Sequence, residues 1–220
     1  MRITHLGHAS LLLEVADARI LLDPGVWSPA AQEVRDLDAV LVTHQHPDHL
    51  DQERLPDLLK ANPGAQLVAD PDTAKLLQDK GIDATSFAAG DTVTLGAVTV
   101  QGVGELHALI HDEIPVIHNT GMRVSAEGEP TFFHPGDALD AEPEGVDVLA
   151  FPLNAPWARS RDLTGFLRRL AAPHAIPVHD GLLSQAGRTL YLNQAANLGS
   201  QETRIADLAG GEPAEFRPGA

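Results

Sequence analysis

The sequence predicts a single α/β domain over residues 1–220, and three observations carry that expectation. Short apolar runs of strand length alternate with segments whose apolar residues recur at helical spacing. Several strand-like runs end in a polar donor followed by a turn, as strands do when they deliver side chains to a cleft. No low-complexity linker and no repeat of fixed period divides the chain, although the two halves could resemble each other in architecture.

Taken in order, Ser10–Val15 and Arg19–Asp23 read as a hairpin turning at Ala16-Asp17-Ala18, with Asp23-Pro24-Gly25 ending its second strand. A sheet therefore begins near the N-terminus. The apolar run Ala39-Val40-Leu41-Val42 leads into a histidine-rich loop. Beyond it, Asp51 is placed to cap a helix presenting Leu55, Leu58 and Leu59, with Pro56 in its first turns. Leu67-Val68-Ala69 supplies a strand, a second helix starts from Asp72, and Val93 to Val103 supplies one or two strands punctuated by Gly96 and Gly102. Thr131-Phe132-Phe133 runs into the turn His134-Pro135-Gly136-Asp137, which places Asp137 at a strand end. Asp147 to Phe151 is a buried strand. From Ser160, the residues Leu163, Phe166, Leu167 and Leu170 fall at i, i+3, i+4 and i+7, one face of a helix. The strand Ala175-Ile176-Pro177-Val178 then delivers His179-Asp180-Gly181. Residues Ser184 to Gly199, with Leu190, Tyr191 and Leu198, are left to cover the sheet, the mouth of a site or a neighbouring molecule.

Composition narrows the chemistry. Apolar residues make up 43% of the chain but aromatics only 4%, so the core must be packed by Leu, Val, Ile and Ala. There is no cysteine, which removes disulfides and thiolate ligands together. A net charge of −16 sets the overall field against polyanions and anionic membranes, so long nucleic acid is a poor substrate while a small molecule is not excluded. The first residues lack a basic stretch followed by a signal-length apolar segment, and no run reaches the ~20 apolar residues of a membrane span. A cytoplasmic protein is the expectation.

Thr43-His44-Gln45-His46-Pro47-Asp48-His49 places three imidazoles and a carboxylate directly after a strand. Burying such a group without a metal would be costly, and imidazole with carboxylate suits Zn²⁺ or a similar divalent ion. Four donors exceed what one ion takes from a single short loop, so two metals are expected. Asp23 reads as a carboxylate that accepts from a ligand's free N–H and so buttresses the metal loop. His8 and His134 are candidates for a supporting or substrate contact. His5 and His118 are weaker ones, and His174 reads as structural.

These motifs resemble the metallo-β-lactamase superfamily of metal-dependent hydrolases, a four-layer αββα sandwich, over nearly the whole chain. The H-x-H-x-D-H signature is met by His44, His46, Asp48 and His49. The resemblance implies one metal on His44, His46 and His107, with His111 as the other choice for the third imidazole. It implies a second on Asp48, His49 and His179, with Asp137 bridging the two. The ions it implies are two divalent metals, zinc first, with manganese or iron as other fits. Such a pair lowers the pKa of a shared water, and Asp48 would serve as the catalytic residue that orients the metal-bridged hydroxide and accepts its proton. Ile3-Thr4-His5-Leu6-Gly7-His8-Ala9-Ser10, Leu21-Leu22-Asp23-Pro24, Asp48-His49-Leu50-Asp51 and Phe151-Pro152-Leu153 are similar to the ascorbate-phosphate lactonase-like and N-acyl-phosphatidylethanolamine phospholipase-like branch.

Two departures bear on substrate. Ala138 follows the bridging aspartate where relatives often carry a hydroxyl, and residues Asn154 to Arg161, where relatives shape the substrate pocket, match no subgroup. The expected activity is hydrolysis of an ester, lactone or phosphodiester bond in a small substrate. The alternatives are a di-iron oxidoreductase and a non-catalytic metal-binding protein. Di-iron relatives typically hold Glu where this chain has His46, and a non-catalytic protein would not need Asp48 and Asp137 together. The chain leaves no room for the inserted domain of nuclease relatives, and residues 202–220 lack the basic cluster of a glutathione-thioester hydrolase. A homo-oligomer is a further expectation of the resemblance.

Overall fold

The computed structural model describes residues 1–219; Ala220, the end of the predicted domain and of its tail, lies outside them. Sheet one takes β1 (Arg2–Gly7), β2 (Ser10–Val15), β3 (Ala18–Leu22), β4 (Ala39–Val42), β5 (Gln66–Ala69) and β6 (Thr85–Ser86). Sheet two takes β7 (Thr92–Leu95), β8 (Val98–Val103), β9 (Gly121–Ser125), β10 (Phe132–His134), β11 (Val148–Pro152), β12 (His174–Val178) and β13 (Arg204–Ile205). The last strand, β14 (Ala214–Glu215), returns to sheet one beside β1.

Each sheet changes character partway across. In sheet one β1, β2 and β3 pair antiparallel, after which β4, β5 and β6 follow β3 in parallel. In sheet two β7 to β10 pair antiparallel, and β11, β12 and β13 continue in parallel. The halves therefore do share an architecture. Parallel pairing needs crossovers; α1 (Leu55–Ala61) joins β4 to β5, α2 (Pro71–Asp79) joins β5 to β6, α3 (Ser160–Leu170) joins β11 to β12 and α4 (Gln185–Leu198) joins β12 to β13, while β3 to β4 and β10 to β11 are joined without an α-helix.

Alternation along the strands assigns side chains to layers. Leu22, Leu41, Phe132 and Ile176 meet between the sheets. Their neighbours Leu21, Val40 and Val42 face Leu55, Leu58 and Leu77 of the first helix layer. Phe133, Leu149 and Phe151 face Phe166, Leu167 and Ala195 of the second. The result is the αββα sandwich, one domain of two mixed sheets with helices outside. β4, β10 and β11 are buried on both faces, which is why they read as unbroken apolar runs. Among the described residues, no helix is long and apolar enough to cross a membrane.

Helix starts differ from the sequence reading. Asp51 does not cap α1, whose N-cap is Arg54; its carboxylate instead accepts from the Glu53 and Arg54 amides, closing the turn before the helix. Pro56 still sits in the first turn, where its missing N–H costs nothing. The second helix begins at Pro71 rather than Asp72, capped by Asp70 through the amides of Asp72 and Thr73. β1 and β9 were not anticipated, because their Gly, His and Arg residues break the apolar pattern. Within α4 only Ala195 is buried, and the helix packs along α3 with Leu190 and Leu198 facing out.

One close approach links fold to site. A Cβ on Gly25 would lie 1.9 Å from the Asp48 carbonyl oxygen, so the turn after β3 and the histidine loop touch through bare backbone. Gly25→Ala is expected to displace that loop and cost about 1–3 kcal/mol of stability by overpacking. Denaturant unfolding measures the loss, and metal content should fall with it.

Candidate metal centre

The predicted donors leave the C-terminal ends of strands from both sheets, where open α/β sheets bind ligands. Asp23 follows β3, His44 to His49 follow β4, His107 follows β8, Asp137 follows β10 and His179 follows β12. Three groups of candidate ligand atoms, each mutually within 4.8 Å, result: His44, His46 and His107; Asp48, His49 and His179 with His8; and His44, His49 and Asp137. His44, His49, His107, Asp137 and His179 are all buried, whereas Asp48 keeps 18% of its side chain exposed.

Hydrogen bonds fix which ring nitrogen each histidine offers. Asp23 Oδ1 accepts from the Thr43 amide at 2.8 Å, and its Oδ2 accepts from Thr43 Oγ1 and from His49 Nδ1, both at 2.8 Å. Having donated to Asp23, the Thr43 hydroxyl accepts from His44 Nδ1 at 3.1 Å. His107 Nδ1 donates to the Ala108 carbonyl at 2.6 Å and His179 Nδ1 to the Asn154 carbonyl at 2.7 Å. Every one of these four rings is thereby left with Nε2 as its free donor. His49 Nε2, His107 Nε2, His179 Nε2 and Asp137 Oδ1 are buried and make no well-formed hydrogen bond among the described residues; their polar neighbours are members of the cluster, with His49 Nε2 3.2 Å from Asp137 Oδ1, His107 Nε2 3.4 Å from Asp137 Oδ2 and His179 Nε2 3.2 Å from Asp48 Oδ2. His44 Nε2 and His46 Nδ1 face each other at 3.1 Å.

The other predicted residues fall into place around this cluster. Asp23 lies behind the histidines, as a buttress. Gly181 N–H donates to His8 Nδ1 at 3.0 Å, so the His8 proton sits on Nε2 and is donated to Asp48 Oδ2 at 3.1 Å. His8 thus holds Asp48 and offers no lone pair of its own. His134 is turned away from the cleft: its Nδ1 accepts from the Gly136 amide and its Nε2 donates to the Ala9 carbonyl, bracing one sheet against the other. His5 donates to the His8 carbonyl, His118 pairs with Asp72, and His174 packs on Phe216. His111, the other choice beside His107, is exposed and accepts from the Glu113 amide.

Electrostatics separate the members. Burial alone would lower His49, yet Asp137 and Asp23 outweigh it and hold that imidazole well above its usual value. Burial likewise opposes charge on His179, but Asp137 and Asp48 push it up to about 9. Burial pushes His44 well below, with His49 adding to the effect, while His46 is lowered by burial and by His107. Asp137 would be raised by burial, but His49, His107 and His179 keep it well below the usual carboxylate range. Asp48 is held below it in the same way by His179 and His8.

Two residues at the site escaped the sequence reading. Trp157, from the stretch that matched no subgroup, donates its indole N–H to Asp137 Oδ2 at 2.9 Å and packs edge-on to His107 at 5.9 Å. Trp27 packs edge-on to His8 at 4.8 Å. The chain has two tryptophans and both sit here. Their scarcity, with the need of an indole N–H for a partner, was the available signal.

Comparison with known proteins supports the architecture independently. The family profile described as Beta-lactamase superfamily domain matches residues 2–179. Protein Rv0786c of Mycobacterium tuberculosis is 40% identical over 206 residues, covering 93% of this chain and 96% of its own. A UPF0173 metal-dependent hydrolase of Rubrobacter xylanophilus is 30% identical over 200 residues, covering 82% and 81%. Among solved structures, the metallo-beta-lactamase fold protein YhfI from Bacillus subtilis superposes with a TM-score of 0.73 at 18% identity, over 98% of each chain.

Asp23→Asn should leave the protein folded but weaken metal binding about 10- to 100-fold, because it disturbs the tautomers of His49 and His44 together. Competition with a chromogenic chelator measures that loss. A pH dependence follows from His179. Its raised pKa means that its pairing with Asp137 and Asp48 stabilises the metal-free protein fully below about pH 6.5 and is lost as pH rises through about 9. The melting temperature in EDTA should therefore fall across that window, while metal affinity rises by about tenfold per pH unit for each proton displaced.

Proposed function

The chain belongs to the metallo-β-lactamase superfamily and, within it, to the UPF0173 metal-dependent hydrolase family, and from that premise we propose that it cleaves an ester, lactone or phosphodiester bond of a small substrate at a dinuclear centre. The single observation that carries the reading is the convergence of buried ligand atoms that face only one another: His49, His107 and His179 Nε2 with Asp137 Oδ1. Three imidazole Nε2 atoms and a carboxylate oxygen aimed at one space can hold a cation once the protons that the carboxylates retain on His49 and His179 are displaced. The donor set fits zinc first, with manganese or iron as other ions of the same nitrogen and oxygen preference.

His44, His46 and His107 would hold one ion, Asp48, His49 and His179 the other, and Asp137 would bridge them. When bound, such a pair supplies a water of lowered pKa and positive charge for a developing oxyanion. The chain's own residues do the positioning. Asp23 and Thr43 orient His49 and His44. His8 Nε2 and His179 Nε2 lie 3.1 and 3.2 Å from Asp48 Oδ2, which leaves Oδ1 to accept the proton of the attacking water. Asp48 suits this task because, unlike Asp137 with 5% exposure, it reaches the cleft.

The choice of carboxylic and phosphoric esters rests on the resemblance of Ile3–Ser10 and Asp48–Asp51 to the lactonase-like and phospholipase-like branch. His46 in place of a glutamate, and both Asp48 and Asp137 in place, speak against the di-iron oxidoreductase and the passive metal binder. Action in the cytoplasm and as a homo-oligomer belongs to the same proposal.

Elemental analysis should find about two divalent ions per chain. Protein stripped with EDTA should be inactive and regain hydrolysis of a chromogenic ester, lactone or phosphodiester with Zn²⁺ or Mn²⁺. Asp48→Ala should lower kcat about 10²- to 10⁴-fold. Bound iron with redox activity and no hydrolysis across the panel would sink the hydrolase reading, and fewer than about one metal per chain after reconstitution would favour a non-catalytic role.

A further inference from the structure

A cavity of about 300 Å³ adjoins the metal cluster and shares His107 and Trp157 with it. Its other walls include Leu106, Leu109, Ala138 and Leu139, with Asp140 and Asp162 at its edge and no lysine or arginine in its lining. The nearest guanidinium groups in sequence, Arg159 and Arg161, are both engaged by Asp162. Trp157 is held in place as a wall because its N–H is committed to Asp137 Oδ2. Ala138, where relatives often have a hydroxyl, keeps the floor apolar.

The surface around the cleft has the same character. Of the exposed large apolar side chains, Leu190 and Leu198 lie on α4. The rest, including Trp27, Leu106, Leu109 and Leu182, lie in loops that leave the C-terminal ends of β3, β8 and β12, the ends from which Asp23, His107 and His179 extend. Apolar area concentrated at the rim of a polar cluster marks a site for an apolar ligand group.

We propose that this cavity is a specificity pocket for an uncharged apolar arm of the substrate, an acyl, alkyl or aryl group, so that the preferred substrates are neutral carboxylic esters or lactones rather than phosphodiesters. Two carboxylates at the edge and no free cation in the lining disfavour an anionic group, whereas leucine, alanine and indole surfaces reward each methylene they cover. The proposal rests on the hydrolase reading for the bond that is cut, but the pocket itself is testable without turnover.

The experiment uses metal-loaded protein carrying Trp27→Phe, so that Trp157 is the remaining fluorophore. Titration with neutral n-alkyl amides from butanamide to octanamide should change its emission, with affinity rising about three- to fourfold per methylene until the pocket is full. Leu109→Arg, at a position already exposed, and Ala158→Leu, which fills the space without adding a fluorophore, should each weaken octanamide binding at least about tenfold. In parallel, kcat/KM for 4-nitrophenyl esters should climb from acetate to hexanoate, and a terminal carboxylate on the six-carbon chain should abolish the gain. Amide binding that ignores chain length, or that both variants leave intact, overturns the pocket. Ester hydrolysis with a flat chain-length profile overturns it while leaving the hydrolase reading standing. Length-dependent amide binding with no turnover of any ester, lactone or phosphodiester keeps the pocket and removes the hydrolase reading, and turnover of phosphodiesters in preference to neutral esters and lactones overturns the substrate preference.

Discussion

Asp23 is the carboxylate on which the geometry of the centre depends. It is fully buried and sits in the left-handed region at φ 44°. Its amide donates to the Leu41 carbonyl, so β3 and β4 are joined at the point where β4 gives way to the histidine loop. Its two oxygens take the Thr43 amide, the Thr43 hydroxyl and the His49 ring. One side chain therefore sets where the loop begins, which tautomer His49 adopts and, through Thr43, which tautomer His44 adopts. A neutral isostere keeps the shape but cannot accept at all three places with charge, and so the consequence is electrostatic before it is steric.

The second constraint is that the centre straddles two sheets. His44 to His49 come from sheet one, and His107, Asp137 and His179 from sheet two. Two imidazoles separate the problem of alignment from the problem of charge. The His8 carbonyl accepts both the His179 amide at 2.8 Å and the His5 ring at 2.8 Å, and the Ala9 carbonyl accepts the His134 ring at 3.1 Å. The turn between β1 and β2 is thus fastened to the ends of β10 and β12. His8 and His179 both occupy the left-handed region, at φ 47° and 59°, a conformation that non-glycine residues adopt at a cost of order 1–3 kcal/mol each. The apolar layer between the sheets holds that strain, and metal binding would add to it, since a ligand that prefers the folded state stabilises it.

What could be read from the chain followed the physics of each signal. The histidine loop was legible because four donors in six positions after an apolar run have few other uses. Asp137 and His179 were legible because each follows a short strand and precedes a turn. The starts of α1 and α2 were misplaced by a residue or more because Asp51, Asp70 and Asp72 are all competent caps, and only the backbone decides which amides lie open. His8 was seen as a supporting contact, but its role as a donor to Asp48 depends on the Gly181 amide, 173 positions away. Nothing local encodes that bond. Trp157 was lost for the same reason, since its partner comes from another strand end.

Charge and apolarity are arranged in opposite senses inside and outside this cleft. The chain as a whole is strongly acidic, yet its innermost donors are imidazoles whose lone pairs converge, flanked by carboxylates already committed to them. The guanidinium groups beside the cavity, Arg159 and Arg161, are both paired with Asp162 and no lysine or arginine lines it, so long-range attraction of an anion contributes little. Recognition must then come from burial of apolar surface next to Trp157 and His107, with polarity supplied only at the bond to be cut. That division would explain why the proposed metal-binding residues could be named one by one while the segment 154–161 resembled nothing. Ligands to a metal would answer to a geometry common to many relatives, whereas a pocket wall would answer to the shape of one substrate group.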